Sequence, residues 1–471
     1  MKKYLPVKSA LSAALAVALL GAFSTTAQAI EFSSSDGEWT GSFDTTISYG
    51  ASWRLKDYDP ADVGKSANNP TTFLLDKNAQ RDQIGRWSVN GDDGTLNYRE
   101  KGDMISHNVK VTMELGVNWR NFGGFARATA FYDFENHDKA ALSDIAQELV
   151  GKDVRLLDAY IYGDFEPGGR FLNLRLGKQV VSWGESTFIQ GGINVINPVD
   201  VAKLRVAGAE LKEAFEGINM LYGSIDLTPA LSLEALYMFE YQQINPDPAG
   251  TYFSTNDIAT PGGSYAMLGF GIYPQPVINP DLYHDVCLNG NYGASDSPLP
   301  AQLVATGCNL AIPRTESRFP KESGQFGVAL RWFLENLGGT ELGFYFLNYH
   351  SRLPLISGSA ITERPPPFES GKYWTEYPED INLWGASFNT TVGTWALSGE
   401  VSYRPNAPLQ IDDVEVLFGA LTPLNPLLPS YYLQYKSQLG EFAPGGYMKG
   451  WEEHKQWQAQ STIFKLFGPN N

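Results

Sequence analysis

The sequence predicts an all-β fold, an antiparallel transmembrane β-barrel with long extracellular loops and one loop folded inward. Three observations support this prediction: long segments in which apolar and polar residues alternate, an export signal, and connections that alternate between short and long. After the export signal there is no run of eighteen or more apolar residues, which a transmembrane helix needs. A membrane span in this chain therefore has to be made of strands.

The first of these alternating segments runs from Trp39 to Arg54. Every odd position up to Trp53 is apolar, small or Thr45, and every even position is polar or glycine. The segment is longer than the roughly nine to eleven tilted residues that cross a bilayer. Aromatic residues stand at both ends of its apolar face, so the pattern indicates lipid on one side, water on the other and an aromatic belt at each interface.

The first 29 residues have the pattern of a secretory signal peptide. Lys2 and Lys3 precede an apolar stretch over residues 10–22, and a small-x-small cleavage site ends at Ala29. The barrel is therefore predicted over residues 30–471. An exported barrel indicates the outer membrane of a bacterium.

Eleven further segments show the same alternation, which makes about twelve visible strands. The further strands are predicted at Ile105–Arg120, Phe125–Glu135, Leu156–Phe165, Phe171–Val181, Gly217–Leu227, Leu231–Tyr241, Gly324–Phe333, Thr340–His350, Ile381–Thr391, Trp395–Arg404 and about Lys455–Phe467. For Thr340–His350 and Ile381–Thr391 either face fits the lipid side. Because Phe467–Asn471 resembles another short turn, the sequence also predicts that the barrel is incomplete at the C-terminus and that further strands follow.

Charge and cysteine content exclude some functions. With 35 Lys and Arg against 52 Asp and Glu the net charge is −17, which disfavours nucleic-acid binding and a pore that selects anions by rings of basic residues. Cys287 and Cys308 are the only cysteines and lie in one long connection in an oxidising compartment, so we predict a disulfide between them. Neither a cofactor nor a resident metal is predicted.

The connection Ser182–Glu216 is the predicted substrate gate. It shows neither a strand period nor the Gly-, Ser- and Asp-rich content of a solvated loop, so we expect it to fold back into the lumen, where irregular backbone is tolerated. A static plug that only braces the barrel explains the same pattern equally well. The substrate-path residues predicted here are Glu185, Ile189, Gln190, Ile193, Asn194, Asn197, Asp200, Lys203, Arg205 and Glu210. The lumen charges predicted to face this segment are Asp44, Arg54, Lys110, Glu114 and Arg175.

Two stretches of the long loops are unexpectedly apolar, Tyr265–Tyr273 and Val414–Leu428. Contiguous apolar surface either binds something or is covered. These stretches therefore either bind a hydrophobic ligand at the barrel mouth or pack against other loops. The oxygen-rich loop Asn90–Gly94 lacks the spacing of a calcium-binding loop, and an ordinary Asx-rich turn is the favoured interpretation.

Catalysis is the rival class of function, since some outer-membrane barrels are lipases. Its clearest candidates are His350 and Ser351 at a strand end, but if the strand continues, these neighbours point to opposite faces, which disfavours the direct hydrogen bond of a Ser-His pair. No G-x-S-x-G motif occurs. We therefore predict that the chain is not an enzyme.

Several blocks of sequence resemble the proteobacterial domain-of-unknown-function family thirteen-oh-two. They are Leu176–Phe188, Gly191–Asn194, Asn197–Asp200, Gly208–Glu213, Asn90–Tyr98, Phe253–Asp257, Tyr349–Pro354, Tyr377–Asp380 and Val401–Asn406. The resemblance implies an outer-membrane barrel that handles hydrophobic compounds beside a periplasmic lipid-carrier-like protein and an inner-membrane efflux pump.

Together these observations predict a channel for uptake or export of hydrophobic small molecules or lipids, in contact with outer-membrane lipid. The alternative is a structural or adhesive surface barrel with a plugged lumen.

Overall fold

The computed structural model is dominated by a thirteen-stranded antiparallel sheet. The strands of this sheet are arranged in the order in which they occur along the chain. The structure describes residues 30–186, 191–206, 209–363, 368–428, 434–465 and 467, so the predicted signal peptide lies outside the described residues. Two smaller sheets, of two and three strands, lie in the long connections. The sheet confirms the predicted all-β antiparallel class.

Eighteen strands occur among the described residues. They are β1 (Ile30–Ser33), β2 (Trp39–Trp53), β3 (Met104–Trp119), β4 (Phe122–Asp133), β5 (Lys152–Phe165), β6 (Leu172–Gln179), β7 (Ile218–Thr228), β8 (Leu231–Met238), β9 (Tyr265–Met267), β10 (Ala311–Pro313), β11 (Gln325–Leu334), β12 (Thr340–Tyr349), β13 (Leu355–Ser359), β14 (Lys372–Glu376), β15 (Ile381–Val392), β16 (Trp395–Gln410), β17 (Tyr447–Met448) and β18 (Trp451–Lys465). Strand β9 pairs with β10, strands β14, β13 and β17 form the three-stranded sheet, and the rest form the large sheet.

The helices are short and lie in the connections. They are α1 (Lys65–Asn68), α2 (Lys77–Asp82), α3 (Asp93–Leu96), α4 (Asp144–Val150), α5 (Val201–Leu204), α6 (Leu211–Ala214), α7 (Ala301–Cys308) and α8 (Asp413–Leu421). Single 3₁₀ turns occupy Pro60–Asp62, Thr72–Leu74, Pro167–Gly169, Pro280–Leu282, Tyr292–Ala294, Glu335–Leu337, Phe368–Ser370 and Thr422–Leu427, and a π turn occupies His284–Leu288. Within the described part of the chain, no helix combines the length and the apolarity that crossing a membrane requires.

All twelve predicted strands correspond to strands of the large sheet, and the thirteenth is the short β1. The largest boundary differences concern β16 and β18. Strand β16 ends at Gln410 rather than at Arg404, and β18 begins at Trp451 rather than at Lys455. Pro405 indicates a strand end in the sequence, but the pairing register shifts between Arg404 and Ala407 and then resumes. A bulge tolerates a proline because the bulged residue donates no ladder hydrogen bond.

The large sheet has one apolar exposed face. Large apolar side chains on that face include Ile47, Ile161, Leu176, Leu221, Phe344, Phe388 and Ile463. Aromatic pairs flank this band: the rings of Trp39 and Trp119 stack 5.4 Å apart at the short-turn end, and those of Tyr403 and Trp457 stack 4.4 Å apart at the opposite end. An apolar band between two aromatic belts is the pattern of a lipid-facing barrel surface.

The structure assigns the two strands whose facing the sequence left open. Phe344 of β12 is exposed, whereas Tyr345 is buried on the inner face. Phe346 of β12 lies opposite Trp384 of β15 in the pairing register. Even-numbered positions of both strands therefore face outward.

The sheet curves around the connection between β6 and β7, residues 182–216, which we call the inward segment. Glu213 of this segment contacts Lys110 in β3, Trp183 contacts Glu234 in β8, and Glu185 contacts Asn389 in β15. Only a sheet that wraps around the segment can touch it from so many strands. Strands β1 and β18 are the two edges, and the described residues form no ladder between them.

The other long connections pack together into a cap at one end of the sheet. Within the cap, Cys287 and Cys308 form a disulfide with an S–S distance of 2.01 Å. Both cysteines pack in a core with Val277, Val286 and Val304. The bridge thus closes the loop between β9 and β10.

We expect the double variant Cys287→Ala/Cys308→Ala to lose stability in the cap but not in the large sheet. A bridge over 21 positions restricts the unfolded loop by about 3 kcal/mol in the chain-entropy model. Chymotryptic cleavage within residues 275–313 should accelerate markedly, while the far-UV circular dichroism melt of the sheet stays in place. The unaltered chain under reducing conditions is the control and should behave like the variant. Equal cleavage rates with and without the bridge would contradict this assignment.

Candidate functional site

The inward segment fills much of the barrel interior with apolar side chains. Trp183 and Ile196 are fully buried, and Ile193 is nearly so. They pack with inner-face residues of β7, β8, β11, β12 and β15 in one continuous core. In the described conformation these side chains therefore do not line an open path. Two of the predicted path residues, Ile189 and Gln190, lie outside the described residues.

The buried carboxylate of Glu400 on β16 holds the inward segment at two places near its tip, at Glu185–Ser186 and at Ile193. Oε2 of Glu400 accepts from the backbone N–H of Glu185 at 2.6 Å and of Ser186 at 3.1 Å, and Oε1 accepts from the N–H of Ile193 at 3.0 Å. Gln460 of β18 donates to Oε1 at 2.6 Å. Hydrogen bonds to a charged acceptor are about twice as strong as neutral ones. Glu400 is thus the main polar anchor of the segment.

Two glycines allow this close approach. A Cβ atom at Gly184, where φ is +81°, would lie within 2.4 Å of Oε2 of Glu400, and a Cβ at Gly192 would lie within 2.0 Å of Oε1. Arg404, four positions after Glu400, donates from Nη2 to the carbonyl of Gly192 at 2.7 Å and from Nε to the Tyr349 hydroxyl at 2.9 Å. Backbone N–H and C=O groups of the tip therefore both have charged partners on β16.

The C-terminal part of the segment pairs with two of the predicted lumen charges. Glu213 forms a buried ion pair with Lys110. Lys212 lies 2.9 Å from Glu114, which also pairs with Arg127 of β4 at 2.9 Å. These contacts connect the segment to β3 and β4.

The other three predicted lumen charges have different surroundings. Asp44 lies opposite Glu114 in the pairing register of β2 and β3. Arg54 donates to the carbonyl of Lys56 at 2.8 Å, and Arg175 donates to Asn173 at 3.0 Å. Among the described residues, no ion pair joins any of the three to the inward segment.

Most of the remaining predicted path residues form fixed contacts. Asp200 pairs with Arg155 of β5 at 2.9 Å, and Arg205 pairs with Asp247 at 2.9 Å. The Asn197 side chain accepts from the Val181 N–H at 2.9 Å and donates to the Glu216 carbonyl at 2.8 Å. The last two predicted path residues are Glu210 and Asn194. Glu210 pairs with Lys212 of the same segment at 3.1 Å, and Asn194 is partly buried.

Lys203 is the most strongly perturbed group of the segment. Its ammonium donates to the Leu149 carbonyl and lies 3.4 Å from the centre of the Phe131 ring. Burial lowers the pKa of Lys203 to about 7, and the nearby charge of Arg155 adds to the shift. The side chain thus belongs to a packed interior rather than to a water-filled channel.

The two apolar loop stretches meet in the cap and leave a cavity between them. The Phe270 and Phe418 rings stack 6.4 Å apart. A cavity of about 260 Å³ lies beside them. Its apolar lining includes Ala266, Leu268, Ile312, Ile356, Leu417 and Ala420, and its polar lining includes Asn90, Lys372 and Asp413. The two stretches therefore pack against each other, as one of the two alternatives from the sequence predicts, and the cavity beside them offers space for an apolar ligand.

The strongest catalytic candidates have backbone partners. Nδ1 of His350 accepts from the Asp380 N–H at 3.1 Å, and Nε2 lies 3.1 Å from the Ser323 carbonyl oxygen. The Ser351 hydroxyl donates to the Leu353 carbonyl at 3.0 Å. Burial lowers the pKa of His350, in keeping with a neutral ring.

One cluster of possible metal ligands occurs among the described residues. Carboxylate oxygens of Asp92, Asp93 and Asp257 lie within 4.8 Å of one another in the cap. The sequence indicated the first two as part of a turn but gave no signal for the third.

Comparisons with known proteins identify a family and little more. A family model described as "Protein of unknown function (DUF1302)" matches residues 10–469. No curated protein matches the chain. Among solved structures, the chain is similar to OprB of Pseudomonas putida, solved at high pH, with 11% identity and a TM-score of 0.26 over 76% of this chain and 79% of that chain.

We expect Glu400→Gln to loosen the inward segment. One carboxylate oxygen becomes an NH₂ group that faces N–H donors, and loss of such bonds costs about 2–3 kcal/mol, equivalent to 30- to 150-fold in a local opening equilibrium. The described residues contain no free cysteine, so a Ser186→Cys reporter can be labelled with a charged maleimide. Labelling should accelerate at least tenfold in Glu400→Gln and remain unchanged in the control Glu452→Gln, whose side chain is 64% exposed. The same rate in all three proteins would contradict the anchoring role.

Proposed function

The chain belongs to the DUF1302 family of proteins of unknown function, and we propose that it is an outer-membrane β-barrel that passes hydrophobic small molecules or lipids. The cavity in the cap carries this proposal. Its volume of about 260 Å³ is close to the lower end of small-ligand pockets, roughly 300–1,000 Å³, which are mostly apolar with a few polar groups. Lys372 and Asp413 at its edge provide one group of each charge sign for the polar end of an amphipathic ligand.

The location in the outer membrane is part of the same proposal. It is supported by the exposed apolar band of the large sheet, the aromatic pairs on either side of it and the disulfide in the cap. A signal peptide over residues 1–29 would direct the chain there. The long loops and their cavity then face the outside of the cell, and the short turns face the periplasm.

The inward segment is the proposed gate between the cavity and the periplasm. One side of the interior is mainly apolar. The core around the segment includes Met220 of β7, Leu236 of β8, Ala329 of β11, Leu347 of β12 and Leu383 of β15. If the segment moved, the same side chains would offer an apolar surface to a ligand. The Glu400 anchor, the Lys110–Glu213 pair and the Arg155–Asp200 pair are the contacts that such a movement would break.

The proposed transport needs partners because a barrel alone has no energy source. A periplasmic carrier-like protein and an inner-membrane efflux pump, both implied by the family resemblance, would supply direction. We propose no chemical step. The backbone partners of His350 and Ser351 support a role without catalysis.

A plugged structural or adhesive barrel is the second candidate function. The complete burial of Trp183 and Ile196 favours it, since a tightly packed segment can brace the sheet without ever moving. The two functions differ in whether the cavity binds a ligand and whether the lumen conducts one.

We expect an apolar ligand to bind between the two loop stretches. A photoreactive fatty-acid analogue should cross-link to peptides that contain Leu268 or Leu417, located by mass spectrometry. Ala266→Trp, which fills the cavity, should reduce this labelling at least fivefold. The control Ala301→Trp lies in the same cap at an exposed position outside the lining and should leave it intact. Labelling confined to the lipid-facing strands would exclude a ligand site in the cap.

We expect lipophile-selective flux that depends on the inward segment. In lipid vesicles, a fluorescent fatty-acid analogue should move faster than in protein-free vesicles, and faster still with Glu400→Gln or with deletion of residues 182–216. A small sugar distinguishes a selective path from a general hole and should remain excluded in the unaltered protein and in Glu400→Gln. If neither probe moves in any variant, the plugged structural barrel is the correct function.

A further inference from the structure

Three carboxyl groups from distant parts of the chain converge in the cap. Asp92 and Asp93 lie in the β2–β3 connection, and Asp257 lies in the β8–β9 connection, 164 positions after Asp93. Asp92 is 2% exposed and Asp257 is 8% exposed. Their oxygens come within 4.8 Å of one another. Convergence of buried like charges from separate loops calls for a physical explanation.

A second observation indicates what is missing between these groups. Oδ1 of Asp257 is buried and has no hydrogen-bond partner among the described residues. A separate small cavity of about 10 Å³ adjoins Asp257 and Asp93 and is lined also by Asn90, Ser264 and Gln275. This volume corresponds to one water-sized sphere. Asp257, which carries the unpartnered oxygen, therefore borders a space that fits a single small ion.

Asp92 accepts from two neutral donors, the Gly64 N–H at 2.6 Å and the Gln275 amide at 3.2 Å, and Arg86 attracts its charge without forming an ion pair with it. Within the described ranges, no Lys, Arg or His forms an ion pair with Asp92, Asp93 or Asp257. Buried charges are normally paired or bound to a metal.

We propose that Asp92, Asp93 and Asp257 bind a divalent cation, Ca²⁺. Carboxylate and carbonyl oxygens are the ligands of this hard cation, at 2.3–2.6 Å. The carboxylate oxygens lie within 4.8 Å of one another, close enough for one cation to contact all three carboxyl groups. Mg²⁺ demands near-ideal octahedral geometry and usually keeps several waters, which a cavity of about 10 Å³ does not accommodate.

The cation would fix the wall of the apolar cavity. Asn90 and Met267 line both the small cavity and the 260 Å³ cavity. The Asn90 side chain also accepts from the Met267 N–H at 2.8 Å and donates to the Met267 carbonyl at 3.0 Å. A cation held by both loops therefore determines how closely they approach at this wall.

Calorimetric titration of the full chain in detergent tests the site directly. After treatment with EGTA and dialysis, Ca²⁺ should bind with one site per chain, and Mg²⁺ should bind more weakly. Asp257→Asn keeps an oxygen acceptor for the Asp93 N–H but removes the charge, so the affinity for Ca²⁺ should fall at least tenfold. The control Asp82→Asn, whose side chain is 70% exposed, should leave it unchanged. Binding that is equally weak in all three proteins would assign Ca²⁺ to exposed carboxylates and overturn the proposal.

A measurement on the unaltered chain covers the case in which Asp257→Asn does not fold. Tyr265 lines the small cavity, so Tb³⁺ bound there should show luminescence on tyrosine excitation. Added Ca²⁺ should abolish it, and Ca²⁺ should also slow proteolysis of the β8–β9 connection. Absence of sensitised Tb³⁺ emission, together with equal proteolysis in Ca²⁺ and EGTA, would show that the cluster holds protons instead of a metal.

Discussion

The carboxylate of Glu400 is the interaction on which the arrangement of the barrel interior depends. A segment inside a sheet has no ladder of its own, yet each of its buried N–H groups needs an acceptor. Glu400 accepts from three of them and from Gln460, which also links β16 to β18. Without this acceptor, the tip of the segment would have to hydrogen-bond to water, and the apolar core around Trp183 would be opened to solvent.

The interior of the sheet consists of two unlike halves. Around β3, β4 and β5 it is ionic: Arg127 pairs with Glu114 and Asp158, while Lys110 and Glu114 pair with the inward segment. Around β7, β8, β11, β12 and β15 it is mainly apolar and densely packed, with Arg331 of β11 pairing with Glu234 at 2.6 Å and with Glu341 at 2.9 Å. The inward segment matches both halves, since its C-terminal part carries Lys212 and Glu213 while its N-terminal part carries Trp183. A displaced segment would therefore leave an amphipathic passage, suited to a molecule with an apolar body and a polar end.

Strands were predictable from the sequence because a half-buried strand exposes its period of two in the residue pattern itself. The contacts of Lys110 and Glu114 could be predicted for the same reason. Both occupy positions of β3 that alternate with the apolar ones and therefore face the interior, where the inward segment supplies the opposite charges. Glu400 and Asp257 were not predictable. Each accepts a hydrogen bond from a residue more than 150 positions away, Glu400 from the Glu185 N–H and Asp257 from the Asp93 N–H. The local sequence shows only an acidic side chain on a strand for Glu400 and in a loop for Asp257.

Two arginines, Arg352 and Arg205, connect the inward segment to the cap. Arg352 is buried and donates from Nε to the Val195 carbonyl at 2.9 Å and from Nη1 to the Gln242 carbonyl at 2.8 Å. Arg205 of the segment pairs with Asp247 at 2.9 Å. Gln242 and Asp247 begin the connection that leads to β9, a wall of the apolar cavity. Because one continuous stretch of chain contacts the segment at its start and lines the cavity at its end, a shift of the cavity wall would reach the segment through these two arginines. Coupling of this kind requires that the stretch has two packed arrangements, in each of which buried Arg352 has acceptors for its N–H groups.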